Sequence, residues 1–409
     1  MRVLILSQWY LPEPDIKIHL LAKDLVARGH RVTSITGFPN YPQGRIYPGY
    51  HQRLWQWEQR DGVRILRLPL YPDHSRSSVK RVLNYLSFAV SASLLGPALC
   101  SPAEVMWVYH PPLTVGIPAC WIGLLRRIPF IYGIHDMWPE TLASTGMMPN
   151  RVVQSALGQL ADWIYCQAAA LTVVTPGFKA NLIAKGVPTE KIHVIPNWAD
   201  EDIYRPVPKN PILAQTVGMQ DRFNIVYAGN IGLAQGLDTV LAAAQMLQDM
   251  PKIQFVFIGD GVDRERLRDQ ARKMEVTNVR FIDQQPPERM ADFFALADVL
   301  YMQLIDELLF RITIPSKMYS YMACARPIIA AVTGDAADAV REARAGLVCP
   351  PQDAAALAMA VRSLYAMPKR EREAMGDAGQ RAFEAQYTRR ALTDRYEALL
   401  KEVACCPAV

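Results

Sequence analysis

The sequence predicts an α/β protein built as two doubly wound lobes with a ligand cleft between them. Three observations carry this. Short aliphatic runs alternate with amphipathic segments along nearly the whole chain, the signature of parallel strands covered by helices on both faces. The rhythm restarts after a proline-rich stretch, residues 206–220 with Pro206, Pro208 and Pro211, which reads as a linker. A length of 409 residues exceeds one ordinary domain and favours two of about 200. The expected divisions are 1–205, 206–385 and a terminal helical segment, 386–409, that folds back on the first lobe.

In the first lobe the aliphatic run 3–6 is a buried strand. It follows Met1 and Arg2 directly, so it reads as part of the fold rather than as a signal peptide. Residues 16–28 are helical, because Ile18, Leu21, Ala22 and Leu25 recur at helix spacing and Gly29 stops the run. Further strands are expected at 31–36, 62–70, 105–109, 129–134, 171–175 and 191–195. In the second lobe the strands are 223–228, 255–258, 279–282, 299–302, 328–331 and 346–348. Leu237, Val240, Leu241, Ala244 and Leu247 make one helical face there; Leu357, Ala360, Val361 and Leu364 make another, starting at Asp353. An amphipathic helix over about 390–403 ends the chain.

Composition excludes some function classes. Half the residues are hydrophobic, so both lobes can bury cores, and the net charge of +5 is small and unclustered, unlike a nucleic-acid binder. The seven cysteines are scattered, with no CxxC and no Cys/His zinc spacing. They read as reduced thiols of a cytosolic protein, and no metal site is expected.

Ligands of open parallel sheets sit beyond the carboxyl ends of the strands. Gly229-Asn230-Ile231-Gly232 follows a strand there, and a helix begins after Gln235-Gly236. Glycines let backbone N–H groups approach a phosphate, and the helix N-terminus adds donors. A tight turn with no ligand is the plain alternative. Pro315-Ser316-Lys317 opens another short helix, where Ser316 can cap and Lys317 can reach an anion. Asp260, between Gly259 and Gly261, contacts ligand or forms a turn. In the first lobe, His135 ends a strand beside Asp136 and Glu140, a group suited to binding a sugar hydroxyl or moving a proton. His110 ends a neighbouring strand. Glu13 and Asp15 lie in the loop after the first strand, where they hold an acceptor hydroxyl, cap a helix or face solvent.

Residues 82–100 are almost uncharged, and Arg76, Lys80 and Arg81 precede them. The length approaches the roughly 20 residues that span a bilayer. Asn84, Ser87, Ser91, Ser93 and the Gly96-Pro97 break weigh against spanning. A helix lying in the membrane interface ranks first, a buried core helix second and a span last. Trp55 and Trp57, with Arg53 and Arg60, belong to the same docking surface or to ordinary packing.

The chain resembles the GT-B, family 4 (GT4) glycosyltransferases, close to the colanic-acid and O-antigen sugar transferases of bacterial surface polysaccharide synthesis. The resemblance rests on Tyr10-Leu-Pro-Glu-Pro14, Asp136-Met-Trp-Pro-Glu140, Val194-Ile-Pro-Asn-Trp198, Tyr227-Ala-Gly-Asn-Ile-Gly232, Gln235-Gly236, Gly259-Asp-Gly261, Pro315-Ser-Lys317 and Tyr321-Met-Ala-Cys-Ala-Arg-Pro327. It implies two Rossmann-like lobes and a retaining transfer from a nucleotide-sugar, UDP-linked by family habit, with no cofactor and no obligatory metal. The acceptor implied is a polyprenyl-diphosphate-linked saccharide at the cytoplasmic face of the membrane, with the protein peripherally attached. Donor contacts implied are Gly229, Asn230, Gly232, Gln235, Gly236, Asp260, Arg311, Ser316, Lys317 and Ser320. His135 matches the family's histidine near the transferred sugar and is taken as catalytic with Asp136. Glu13, Asp15, His110 and Glu140 are the acceptor candidates.

The chain departs from the family pattern in three places. The family's two donor-site glutamates correspond to Ile312 and Ser320, and its basic pair to Asn230 and Gln235, leaving Lys317 and Arg311 to supply charge. The loop 15–17 lacks the glycine often found there. Two alternatives stay open: a nucleotide-sugar 2-epimerase of the same architecture, and a catalytically degenerate assembly partner.

Overall fold

The structure, a computed structural model, describes residues 1–14, 16–75, 77–141 and 150–405. It divides into two compact units. The first comprises Met1–Ile195 with Thr393–Val409, the second Pro196–Leu392.

The first unit is built on an eight-stranded sheet: β1 (Arg2–Leu6), β2 (Arg31–Gly37), β3 (Gln56–Arg60), β4 (Val63–Leu68), β5 (Val105–His110), β6 (Phe130–Ile134), β7 (Ala170–Val173) and β8 (Ile192–Val194). Their order is β3-β4-β2-β1-β5-β6-β7-β8, parallel except that β3 runs against β4. The sequence pattern misses β3 because Gln-Trp-Glu-Gln-Arg has no apolar run. Asp61 and Gly62 both take positive φ (48° and 78°), and this two-residue turn folds the polar segment back as an edge hairpin.

The helix Ser78–Leu99 packs Asn84, Phe88, Ala89, Ala92 and Gly96 inward. Polar bonds fix it as well. Gln8 Nε2 donates to Asn84 Oδ1 (2.6 Å), and Asn84 Nδ2 donates to Asn40 Oδ1 (3.1 Å) and the Tyr71 carbonyl (2.7 Å). The terminal helix, Arg389–Cys405, is held to this unit through Arg28, which pairs with Asp394 (2.7 Å) and Glu397 (2.6 Å), and through Tyr396 against Trp107.

The second unit has six parallel strands: β9 (Phe223–Ala228), β10 (Ile253–Ile258), β11 (Val279–Ile282), β12 (Val299–Gln303), β13 (Ile328–Ala331) and β14 (Gly346–Cys349). Their order is β11-β10-β9-β12-β13-β14, so the direction of winding reverses between β9 and β12. That reversal opens a crevice at the carboxyl ends of these two strands.

Two expected boundaries move. Residues 196–205 belong to the second unit, where Ala199 is buried in the core and Tyr204 stacks on Phe294. Residues 206–220 are not a free linker. Asn210 accepts from the N–H groups of Ile212 and Leu213, Pro211 starts the helix Pro211–Thr216, and Ala214 and Met219 enter the core. The chain returns to the first unit only at Thr393, after Arg389 is anchored by Asp200 (2.9 Å) and Glu201 (2.8 Å).

Candidate active site

In the second unit the turn after β9 meets the turn after β10 back to back. A Cβ on Gly259 would fall 2.1 Å from the Gly229 carbonyl oxygen, and one on Gly261 2.2 Å from that of Ile231. Both residues have positive φ (144° and 155°), so glycine is required at each. The N–H groups expected to cradle phosphate are already engaged. Gly229 N donates to Ile258 O (3.0 Å), Ile231 N to Asp260 O (2.8 Å) and Gly232 N to the Gln235 side chain (3.1 Å). The helix after Gly236, Asp238–Gln245, is no open anion site either. Thr239 N and Val240 N bond to Gly236 O and Leu237 O, and Asp238 in the first turn pairs with Arg266.

The cation that remains is Lys317, at the start of the helix Lys317–Ala323. Its Nζ lies 2.6 Å from the Tyr227 hydroxyl, 3.8 Å from that ring's centroid, and 3.6 Å from where a Gly229 Cβ would stand. Among the described residues it has no carboxylate partner. Its surface is partly exposed, yet the protein around it is dense enough that burial pushes the ammonium down to about 7. One turn on, Tyr321 bonds the Ala228 N–H through its hydroxyl (3.0 Å), so residues four apart pin this helix to the end of β9.

Asn230 is exposed beside the turn, and Asp260 accepts from the Gly261 N–H (2.8 Å). Gly236 sits in the left-handed region (φ 55°), its carbonyl held by Gln303 at the end of β12. Three expectations change. Ser316 does not cap: it has helical dihedrals and its side chain makes no cap bond. Arg311 is no free cation, since it forks onto Asp306 (3.0 and 3.1 Å). Ser320 is buried and donates to the Lys317 carbonyl (3.0 Å), leaving only acceptor capacity for a ligand hydroxyl.

In the first unit, the sheet reverses at β1 and β5. His135, just past β6, is partly exposed and lies against Tyr109 (4.4 Å between ring centroids), with its backbone N–H donated to the His110 carbonyl (3.2 Å). His110 is fully buried, and burial holds its imidazole down to about 3, so it is neutral and closed to an acceptor. Asp136 accepts from Trp138 Nε1 (3.3 Å) and the Thr141 hydroxyl, which makes it the brace of its own loop; burial raises its carboxyl. Glu140 pairs with Lys185. Glu13 is 1% exposed and takes three backbone N–H groups, those of Tyr10 (2.9 Å), Asn40 (2.8 Å) and Tyr41 (2.8 Å), tying the β1 and β2 loops together. Burial outweighs those bonds and lifts its carboxyl to about 7. It is therefore structural, not an acceptor ligand. Asp15 lies outside the described residues.

From the sequence, Tyr227 and Tyr321 enter only as motif residues with no role, and Gln303 and the aromatic residues beside His135 do not enter at all. Trp9, Tyr41 and Tyr85 form a cluster that continues through Trp138 to His110. The available signal was a polar-tipped residue at or near the end of an apolar strand, as at Tyr227 in β9 and Gln303 in β12; Tyr321, inside a helix, gave none. Among the described residues no group of three or more His, Cys, Asp or Glu is placed to hold a metal ion.

Two family models match. Residues 16–198 fit the glycosyl transferase 4-like domain, and residues 212–382 fit the glycosyl transferases group 1 model. The chain is similar to the putative colanic acid biosynthesis glycosyl transferase WcaI of Escherichia coli, 27% identical over 67% of this chain and 69% of that protein. It is also similar to the probable glycosyltransferase WbjE of Pseudomonas aeruginosa, 29% identical over 55% of this chain and 57% of the relative. Among solved structures, Anabaena HepE in complex with UDP and glucose superposes with a TM-score of 0.70 at 15% identity, covering 98% of this chain and 99% of that one. The chain belongs to the group 1, family 4 glycosyltransferases and has their GT-B fold of two Rossmann-like α/β lobes.

Proposed function

We propose that this glycosyltransferase moves a sugar, hexosyl or N-acetylhexosaminyl, from a UDP-linked donor to a polyprenyl-diphosphate-linked saccharide. Transfer proceeds with retention, at the cytoplasmic face of the membrane, in surface polysaccharide synthesis. The observation that carries the donor half is the Lys317 ammonium set over Gly229 at the reversal between β9 and β12, with no carboxylate to neutralise it among the described residues. A leaving diphosphate develops negative charge, and a fixed cation in a low-dielectric crevice stabilises that charge with little reorganisation. The UDP complex of HepE and the names of the colanic-acid and WbjE relatives point the same way. His135 is the first-unit group offered to the transferred sugar. Asp136 serves it indirectly, by fixing the loop through Trp138 and Thr141. No metal is needed in this scheme, because Lys317 supplies the positive charge.

The outer face of Ser78–Leu99 supports a lipid-borne acceptor. Val79, the pair Val82 and Leu83, Leu86, Val90 and Leu94 follow one another at helical spacing and are all exposed. The helix Gly116–Arg126, which packs against Ser78–Leu99, also exposes Trp121, Leu124 and Leu125. Lys80 lies at one end of the stripe. Arg126, bonded to the Pro97 carbonyl, and Arg127 lie at the other. Basic residues at both ends suit a helix lying flat on anionic headgroups. The helix is long and apolar enough to cross a bilayer, but its inner face is committed to the sheet through Asn84, Phe88 and Ala92, which favours the interface.

The test is incubation with radiolabelled UDP-sugars and a bacterial lipid extract. Label passing into the organic phase supports the reading. Epimerised nucleotide-sugar without acceptor would establish the epimerase instead, and neither product would leave a degenerate assembly partner.

A further inference from the structure

We infer that Tyr227 is a positioning residue of the donor site: its hydroxyl fixes the Lys317 ammonium over the Gly229 turn, and diphosphate affinity depends on that bond. The inference rests on the reading of the second unit as the donor lobe. Bond directions follow from the groups themselves. An anion beside Lys317 favours its charged form; as an ammonium it only donates and a carbonyl only accepts, so the phenol accepts from Lys317 (2.6 Å) and gives its own proton to the Asn230 carbonyl (2.6 Å). One hydroxyl thus links the cation to the backbone of the turn. The ring holds the same ammonium by its face, with Nζ 3.8 Å from the centroid. Two ammonium protons are left for a ligand.

Tyr227 is 2% exposed, and burial holds its phenol far above the usual range, so it keeps the proton this chain of bonds requires. The arrangement matters more here than it would beside other cations. The turn carries Asn230 and Gln235 where a basic pair would stand, Arg311 is spent on Asp306, and the turn's N–H groups at 229, 231 and 232 are bonded internally. The ligand's charge therefore falls on a lysine with four rotatable side-chain bonds. Holding its tip in place removes much of the ordering cost of binding.

The experiment is a double-mutant cycle on UDP affinity in the full chain, by titration calorimetry, with Tyr227→Phe, Lys317→Met and both together. The expected losses are about tenfold for Y227F and about thirtyfold for K317M, with the double variant no weaker than K317M alone. Should Y227F fail to fold, Tyr227→Leu, which also lacks the hydroxyl, takes its place in the cycle. Unchanged affinity in Y227F, or losses that multiply in the double variant, overturns the positioning role. Failure of the unaltered protein to bind UDP, GDP or dTDP overturns the donor-lobe reading, and this inference with it.

Discussion

The two units solve one problem, presenting groups at the carboxyl ends of a parallel sheet, in different ways. In the second unit the strand ends are glycine turns folded against each other, and one lysine stands over them. In the first unit the strand ends carry bulky polar side chains: the amide chain Gln8–Asn84–Asn40, the carboxylate of Glu13 and an aromatic cluster from Trp9 to Trp138. Under the proposed function, the difference separates two tasks. A diphosphate is small and highly charged, so the bare backbone of Gly229 leaves it room beside Lys317, whose charge attracts it. The proposed acceptor saccharide is large and carries neutral hydroxyls rather than charge, and shaped aromatic and amide surfaces suit it better.

The sharpest way to break this division is to remove the two chemical groups separately. Lys317→Ala is expected to lower kcat/KM by about 10³-fold, through the donor, with the melting temperature almost unchanged. His135→Ala is expected to cost about 10²-fold while leaving UDP affinity alone. Steady-state kinetics with a UDP titration reads both. Equal loss of UDP affinity in the two variants would erase the distinction between the units.

Stability offers the next test. Glu13→Ala strands three buried N–H groups, and we expect the first unit to lose about 3 kcal/mol while UDP binding persists. Differential scanning calorimetry with and without UDP checks this. A variant that loses both together would mean the units do not act separately.

Smaller effects come from protons. His110 is held near 3 in the fold against 6.5 when unfolded. Between those values the unfolded chain binds a proton that the native chain does not, so His110 makes stability fall as pH falls. Glu13 acts in the opposite sense: with its carboxyl raised from 4.5 to about 7, the native chain binds the extra proton in that window. His110→Phe should therefore gain on the parent steadily as pH drops from about 6.5 to about 4, in urea titrations at each pH. A difference independent of pH would show that His110 is not buried neutral. The smallest effect on stability belongs to the apolar stripe. Val90→Ser with Leu94→Ser should change unfolding by no more than about 0.5 kcal/mol, yet reduce flotation with phosphatidylglycerol vesicles. Undiminished flotation would remove the lipid surface from the account.

Much of the fold was legible in the sequence because parallel strands buried on both faces leave aliphatic runs, and glycines mark where they end. β3 was not, since an edge hairpin needs no apolar run when two positive-φ residues make the turn. The linker was misread because prolines mark both unstructured chain and the first turn of a capped helix, and Asn210-Pro211 is the latter. Candidate site residues were visible in the sequence only where one residue stands out alone. Lys317 stood out by its position. The Tyr227 that holds it is 90 residues away in sequence, and no local pattern joins them. Glu13 looked like a loop carboxylate open to ligand, because the three N–H groups that bury it come partly from the β2 loop.

The central claim is that the second unit binds a nucleoside diphosphate through Lys317. It is tested most directly by thermal unfolding of the unaltered protein and of Lys317→Met across a UDP titration. At 100 times its dissociation constant, UDP should stabilise the unaltered protein by about 2.7 kcal/mol and the variant by much less at the same concentration. An equal shift in both proteins, or none in the unaltered one, would contradict the account.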